Sequence, residues 1–264
     1  VEVLPNPVGT APGWFAHVNG AIVVAMPGVP REMTRMWREQ VSPRLSDQSG
    51  GAVFRSTNLR TLGIGESAVS EVLDEMTQRP WPYIGTYAKN DGVHVRVTAR
   101  ADSAEQAEEE LQATVAEIRG RLGEYIYSDD ERSLALVLLD SLRARDLTIS
   151  VAESGTAARF GSFLLAEPAA SGLVLGVSST ALAAEPQAAI TLAENARREI
   201  GSSVGVGVVL SVSPVELGLY DGVVEVAVAG ALESIASFPI RAAFIEIQRR
   251  SAMHAADVLR RAMF

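Results

Sequence analysis

The run Val204-Gly205-Val206-Gly207-Val208-Val209-Leu210-Ser211-Val212 constrains this chain more than any other segment. Its β-branched side chains suit a pleated surface, and with both alternating faces apolar it has no side to show to water. It therefore predicts a central strand buried on both faces, which must be covered by further layers. The surrounding sequence supplies them. Leu134, Val137, Leu138 and Leu142 mark an amphipathic helix, Leu147 to Ala152 a strand, and Leu173 to Val177 another. Thr191 to Ile200 reads as helix, Val223–Ala229 with Leu232–Phe238 as a hairpin, and Arg241 to Ala262 as a terminal helix. In that last helix Phe244, Ile247, Ala255, Val258 and Leu259 face inward. Residues 129–264 are thus expected to form an α/β layered domain.

Two smaller segments precede it. Residues 51–128 read as strand (Val53–Leu62), a Gly63-Ile64-Gly65-Glu66 turn, a helix with Val69, Val72, Leu73 and Met76 on one face, and two strands (Tyr83–Tyr87, Val93–Ala99). A helix from Ser103 to Gly120 follows, with Ser103 and Gln106 fitting a capping box. Val93, Val95 and Val97 alternate with His94 and Arg96, the period of a half-buried sheet, which places His94 at the surface. This order suits a small α/β domain of KH type. Residues 1–50 open on the loop Leu4 to Gly13, followed by a short apolar run (Ala21–Met26) that predicts a buried strand. Arg31–Val41 is expected to be a helix with Met33, Met36 and Trp37 on one side, and Ser46–Ala52 a linker.

Inventory narrows the chemistry. The chain has 264 residues, a formal net charge of −9 and no cysteine. Disulfides, thiolate metal sites and a cysteine nucleophile are excluded, and an acidic chain argues against nucleic-acid binding. No apolar run reaches membrane-spanning length and no signal-peptide pattern opens the chain, so a cytoplasmic location is expected. Lys89 is the only lysine, and His17, His94 and His254 are the only histidines. No cofactor or metal is expected.

Several motifs carry a family resemblance. Leu4-Pro5-Asn6-Pro7-Val8-Gly9-Thr10-Ala11-Pro12-Gly13, Met26-Pro27-Gly28-Val29-Pro30-Arg31-Glu32-Met33, Arg60 to Ser67 and Val151-Ala152-Glu153-Ser154 resemble, in order, segments of the CinA (competence/damage-inducible) family. The resemblance implies the C-terminal part of a molybdopterin-binding-like domain, a KH-type middle domain and a C-terminal nicotinamide mononucleotide (NMN) deamidase domain. It further implies a nucleotide-type small-molecule ligand and a homodimer. The Gly-rich and paired-Asp motifs of the family's first domain are missing here, so pyrophosphatase activity is not expected of this sequence.

The deamidase segment departs from the family pattern. After Ala152-Glu153-Ser154 the family has a threonine followed by two glycines; here Gly155-Thr156 is followed by Ala157-Ala158. The family tyrosine and lysine expected after Val177 are replaced by Ser178-Ser179-Thr180-Ala181-Leu182-Ala183. The family's VTGxAGP loop appears as Val209 to Pro214, without its threonine and glycines, and the glycine-rich loop after it is shortened to Val215 to Leu219. Ser154 remains the candidate nucleophile, expected at a helix N-terminus where it would either bind an oxyanion or simply cap the helix. Glu153, Gly155 and Thr156 are the candidate ligand-binding residues. Since a serine needs a base to become nucleophilic, the sequence favours a degenerate deamidase fold serving ligand binding or dimerisation. The alternative is an active, diverged amidohydrolase that pairs Ser154 with a base other than lysine.

Overall fold

The computed structural model of the protein describes residues 1–46, 52–183 and 187–263. The linker expected at Ser46–Ala52 falls mostly outside them. The chain forms two compact units: Val1–Arg55 with Ala99–Gln112, and Ser56–Thr98 with Ala113–Phe264.

In the first unit, β1 (Glu2–Leu4), β2 (Gly13–Val18) and β3 (Ala21–Ala25) form an antiparallel sheet in the order β1-β2-β3. Helix α1 (Pro30–Met36) begins on a proline, whose fixed φ suits a first turn and whose missing N–H costs nothing there. A π-turn (Trp37–Val41) and α2 (Ser42–Ser46) follow. Two expectations change. β3 is not buried: its residues alternate between exposed and half-buried, because it is an edge strand packed from one side only. The small core is Leu4, Phe15, Met36 and Val41, so Met36 is buried while Met33 and Trp37 are 40% and 46% exposed. The π-turn brings Val41, five residues after Met36, onto the same buried face, which a 3.6-residue stripe does not anticipate.

A four-stranded sheet of order β5-β6-β4-β7 is built from β4 (Val53–Thr61), β5 (Tyr83–Lys89), β6 (Gly92–Ala101) and β7 (Ile126–Ser128), with α3 (Glu66–Val72), α4 (Asp74–Thr77) and α5 (Ala104–Leu122). Val93, Val95 and Val97 are buried as their alternation requires, and Ser103 Oγ accepts the Gln106 N–H at 3.2 Å as the capping motif requires. His94 departs from expectation. It is half-buried and contacts Asp91 Oδ1 at 3.0 Å, and Asp91 also accepts the Tyr127 hydroxyl at 2.8 Å. Burial would raise the Asp91 pKa, but these hydrogen bonds and the His94 charge outweigh it and hold the carboxyl below its usual range.

The largest sheet, β12-β11-β10-β8-β9, is made from β8 (Ile149–Ser154), β9 (Val174–Thr180), β10 (Val204–Pro214), β11 (Leu219–Gly230) and β12 (Ser234–Ala243). β8 and β9 run parallel, whereas β11 and β12 form the antiparallel edge. The strand expected at the centre is there, buried without a break from Val204 to Leu210. Val204, Val206, Val208 and Leu210 pack with α6 (Leu134–Arg143), α7 (Arg159–Leu165) and α9 (Phe244–Met263). Val209 faces Ala189 and Ala193 of α8 (Ala189–Ile200). On that side the helix backbone lies directly on the strand: a Cβ added at Gly205 or Gly207 would stand 2.0 Å from the Ala193 or Ala189 carbonyl oxygen. The glycines in the β-branched run are what let α8 close over it.

Candidate functional site

Glu153 and Ser154 are the last two residues of β8, and the pleat sends them to opposite faces. Helix α7 begins only at Arg159, so Ser154 does not sit at its N-terminus and does not cap it. Glu153 does that instead. Its side chain is 2% exposed; Oε1 accepts the Gly161 N–H at 2.8 Å, and Oε2 accepts the Phe160 N–H at 3.3 Å and the Thr156 hydroxyl. A carboxylate facing first-turn N–H groups satisfies donors that the helix itself cannot, and its charge is favourable at the positive end of the helix dipole. Thr156, fully buried, spends its hydroxyl on the same carboxylate.

The loop between them is strained in a specific way. Gly155, Ala157 and Ala158 all have positive φ (78°, 57° and 56°). The two alanines stand where the family pattern has glycines, and the backbone keeps the left-handed shape that glycine adopts freely and alanine only at a cost. The Ala158 N–H donates to Ser179 Oγ at 3.1 Å, and Gln248 of α9 donates to the Gly155 carbonyl at 3.0 Å, which hold the turn in place. Replacing both alanines by glycine should raise the unfolding free energy by about 1 kcal/mol, the relief of strain being partly offset by a more flexible unfolded chain. Urea denaturation checks this; a loss of stability would mean the turn is not strained.

Ser154 is 4% exposed, and its hydroxyl donates to the Ala181 carbonyl at 3.4 Å. The space above Gly155 is filled from two sides: a Cβ built there would lie 2.8 Å from Leu182 Cδ1 and 3.2 Å from Leu210 Cβ. Leu182 occupies the segment from which the family lysine and tyrosine are missing. His254, the one histidine of the C-terminal segment, is stacked on Phe238 with centroids 4.2 Å apart and rings 16° from parallel. Leu182, Ala183, Ser211, Ser213 and Asp221 line a cavity of about 750 Å³; Glu153, Ser154 and Thr156 do not line it. Among the described residues, no cluster of three or more His, Asp or Glu side chains is placed to hold a metal ion, and no helix is long and apolar enough to cross a membrane.

The structure thus brings Glu153 and Thr156 together, as one cap, and keeps Ser154 apart from them. Sequence reasoning missed Gln248, Leu182 and Leu210, which meet the loop from distant positions in the chain. No local pattern announces them.

A strand–helix–strand–strand–helix segment followed by a mixed five-stranded layered sheet defines an α/β protein of two compact units. Residues 56–128 match the family model described as the KH domain of damage-inducible protein CinA. A CinA-like protein of Thermomicrobium roseum is 40% identical over 220 residues, covering 81% of this chain and 54% of that protein. One from Prochlorococcus marinus is 36% identical over 287 residues, covering 98% of this chain and 67% of that protein. The chain belongs to the CinA family. It spans 54% to 56% of the length of three relatives it matches, from Thermomicrobium roseum and two Deinococcus species. Among solved structures, the competence/damage-inducible protein CihA of Agrobacterium tumefaciens aligns at 17% identity and a TM-score of 0.40, over 49% of this chain and 93% of that one.

Proposed function

We propose that the C-terminal layered segment is a deamidase fold that no longer catalyses deamidation and is retained for ligand binding or homodimer assembly. The carrying observation is the environment of Ser154. Its hydroxyl is buried and donates to a main-chain carbonyl, which cannot take up its proton as a base would. The neighbouring carboxylate is fully engaged: Glu153 accepts three hydrogen bonds from the α7 cap, and a group so used is not free to shuttle protons. Leu182 and Leu210 occupy the room a substrate would need beside Gly155.

In this reading the deamidase sequence has changed where a ligand would approach and persists where the fold depends on it. Glu153 caps α7, and Thr156 holds the capping carboxylate in place. A nucleotide-type small molecule remains the ligand class that family membership suggests, in a cytoplasmic setting. The test is chemical labelling. Treatment with phenylmethylsulfonyl fluoride followed by peptide mass spectrometry should leave Ser154 unmodified under conditions that label an activated serine. Stoichiometric modification at Ser154 would mean that a base and an open approach exist, and the diverged-amidohydrolase reading would replace this one.

A further inference from the structure

We propose that the crevice between the Gly63–Gly65 turn and helix α9 is a binding site for a small aromatic anion, a flat ring bearing a phosphate or carboxylate. The cavity measures about 630 Å³, within the range of small-molecule sites. One wall is the Leu62–Gly65 turn with Lys89 and Asn90 from the β5–β6 turn. The other is α9, through Arg249, Arg250, Met253 and His254, and Phe238 of β12 also lines the cavity.

Two of these groups differ from the other cations in what they contact. Arg249 is spent on Glu246 at 2.6 Å and on the Asn90 carbonyl at 2.9 Å, a contact that ties α9 to the opposite wall. Arg261 is spent on Asp257 at 2.9 Å and Glu124 at 2.6 Å, and Asp257 is matched again by Arg260. Lys89 and Arg250 remain. Neither side chain makes a hydrogen bond or an ion pair with another described residue; Lys89 Nζ lies 6.0 Å from the centroid of the exposed Tyr87 ring, the Arg250 charge acts on Glu246 without contact, and both cations line the crevice. Two cations without a hydrogen-bonded or ion-paired partner at one crevice, in a chain of net charge −9 that has a single lysine, are a local reversal of the molecule's charge. Arginine suits the planar oxygens of phosphate or carboxylate, and lysine adds a point charge.

The second feature is flat surface. The parallel His254–Phe238 pair is half-buried and lines the same crevice. The His254 ring makes no hydrogen bond with another described residue. Burial first, and then the Arg250 charge, lower its pKa to about 4, so at neutral pH it presents an uncharged ring rather than a third cation. A ring stacked there, with its anionic group toward Lys89 and Arg250, would use the aromatic and the ionic wall together.

This site is separate from Ser154, so its test is independent of the proposed loss of catalysis. The probe is adenosine 5′-monophosphate, titrated calorimetrically into the full chain at low salt, with adenosine and inorganic phosphate as its separated halves. Saturable binding of the monophosphate is expected, at least about tenfold tighter than either half. Lys89→Gln and Arg250→Gln should each weaken it by about fivefold or more, Arg250→Lys should retain most of it, and Ser154→Ala should match the parent. Absence of saturable binding overturns the proposal. So does binding that survives both glutamine substitutions, or binding lost in Ser154→Ala. Lys89 is exposed, so its substitution keeps the test valid even if an Arg250 variant folds poorly.

Discussion

Glu153→Ala should lower the unfolding free energy by about 4 kcal/mol, and Glu153→Gln by about half as much. The side chain is 2% exposed and receives the Gly161 and Phe160 N–H groups and the Thr156 hydroxyl. Truncation leaves three donors without an acceptor in a site water does not reach, and a buried unsatisfied donor costs about 1–3 kcal/mol. It also opens a void between β8 and α7. Glutamine keeps one acceptor oxygen but turns an NH₂ group toward a donor, so the loss is partial. Thr156→Val removes one hydrogen bond and should cost about 1 kcal/mol. Urea denaturation of the three variants reads the whole series. A cost under about 1 kcal/mol for Glu153→Ala would mean that the carboxylate is not the cap.

The second large effect is acid sensitivity centred on His254. Its pKa is lowered from 6.5 to about 4, first by burial and then by the nearby Arg250 charge, with Asp257 acting the other way. A histidine with a depressed folded-state pKa is neutral in the folded protein at a pH where the unfolded chain already carries the proton. Stability is therefore full above about pH 6.5, falls as the pH drops toward 4, and loses nothing more from this group below that. The expected loss is on the order of 2–3 kcal/mol. His254→Phe keeps a flat ring against Phe238 and removes the titration, so the variant should lose correspondingly less stability between pH 7 and pH 4. Carboxyl groups held low, such as Asp91, give up their contribution as the pH falls further, in parent and variant alike. Equal pH dependence in the two proteins would contradict the assignment.

The parts of the fold that the sequence made legible are those where one local pattern answers one physical demand. The β-branched run could be satisfied only by a strand covered on both sides, and β10 is that strand. The stripe on the terminal helix became the buried face of α9, with Ile247, Ala255, Val258 and Leu259 buried and Phe244 packed at its edge. Ser103 announced a cap and is one. At the candidate site the same logic misled. Serine after a strand suggests an N-cap, but the left-handed steps at Ala157 and Ala158 delay the helix to Arg159, and the longer side chain of Glu153 reaches back to its first N–H groups. Two successive alanines at positive φ contradict local preference, so no propensity argument would place them there. The contacts that close the loop, from Leu182, Leu210 and Gln248, join residues up to 93 positions apart and leave no trace in any short window.

In the proposed reading Ser154 is a buried structural residue rather than a nucleophile. The most direct measurement is ammonia release from NMN by the purified protein, beside its Ser154→Ala variant. No release by the parent above the level of the variant is expected. Turnover by the parent that disappears in Ser154→Ala would contradict it and require a base that reaches this serine in a conformation other than the one described.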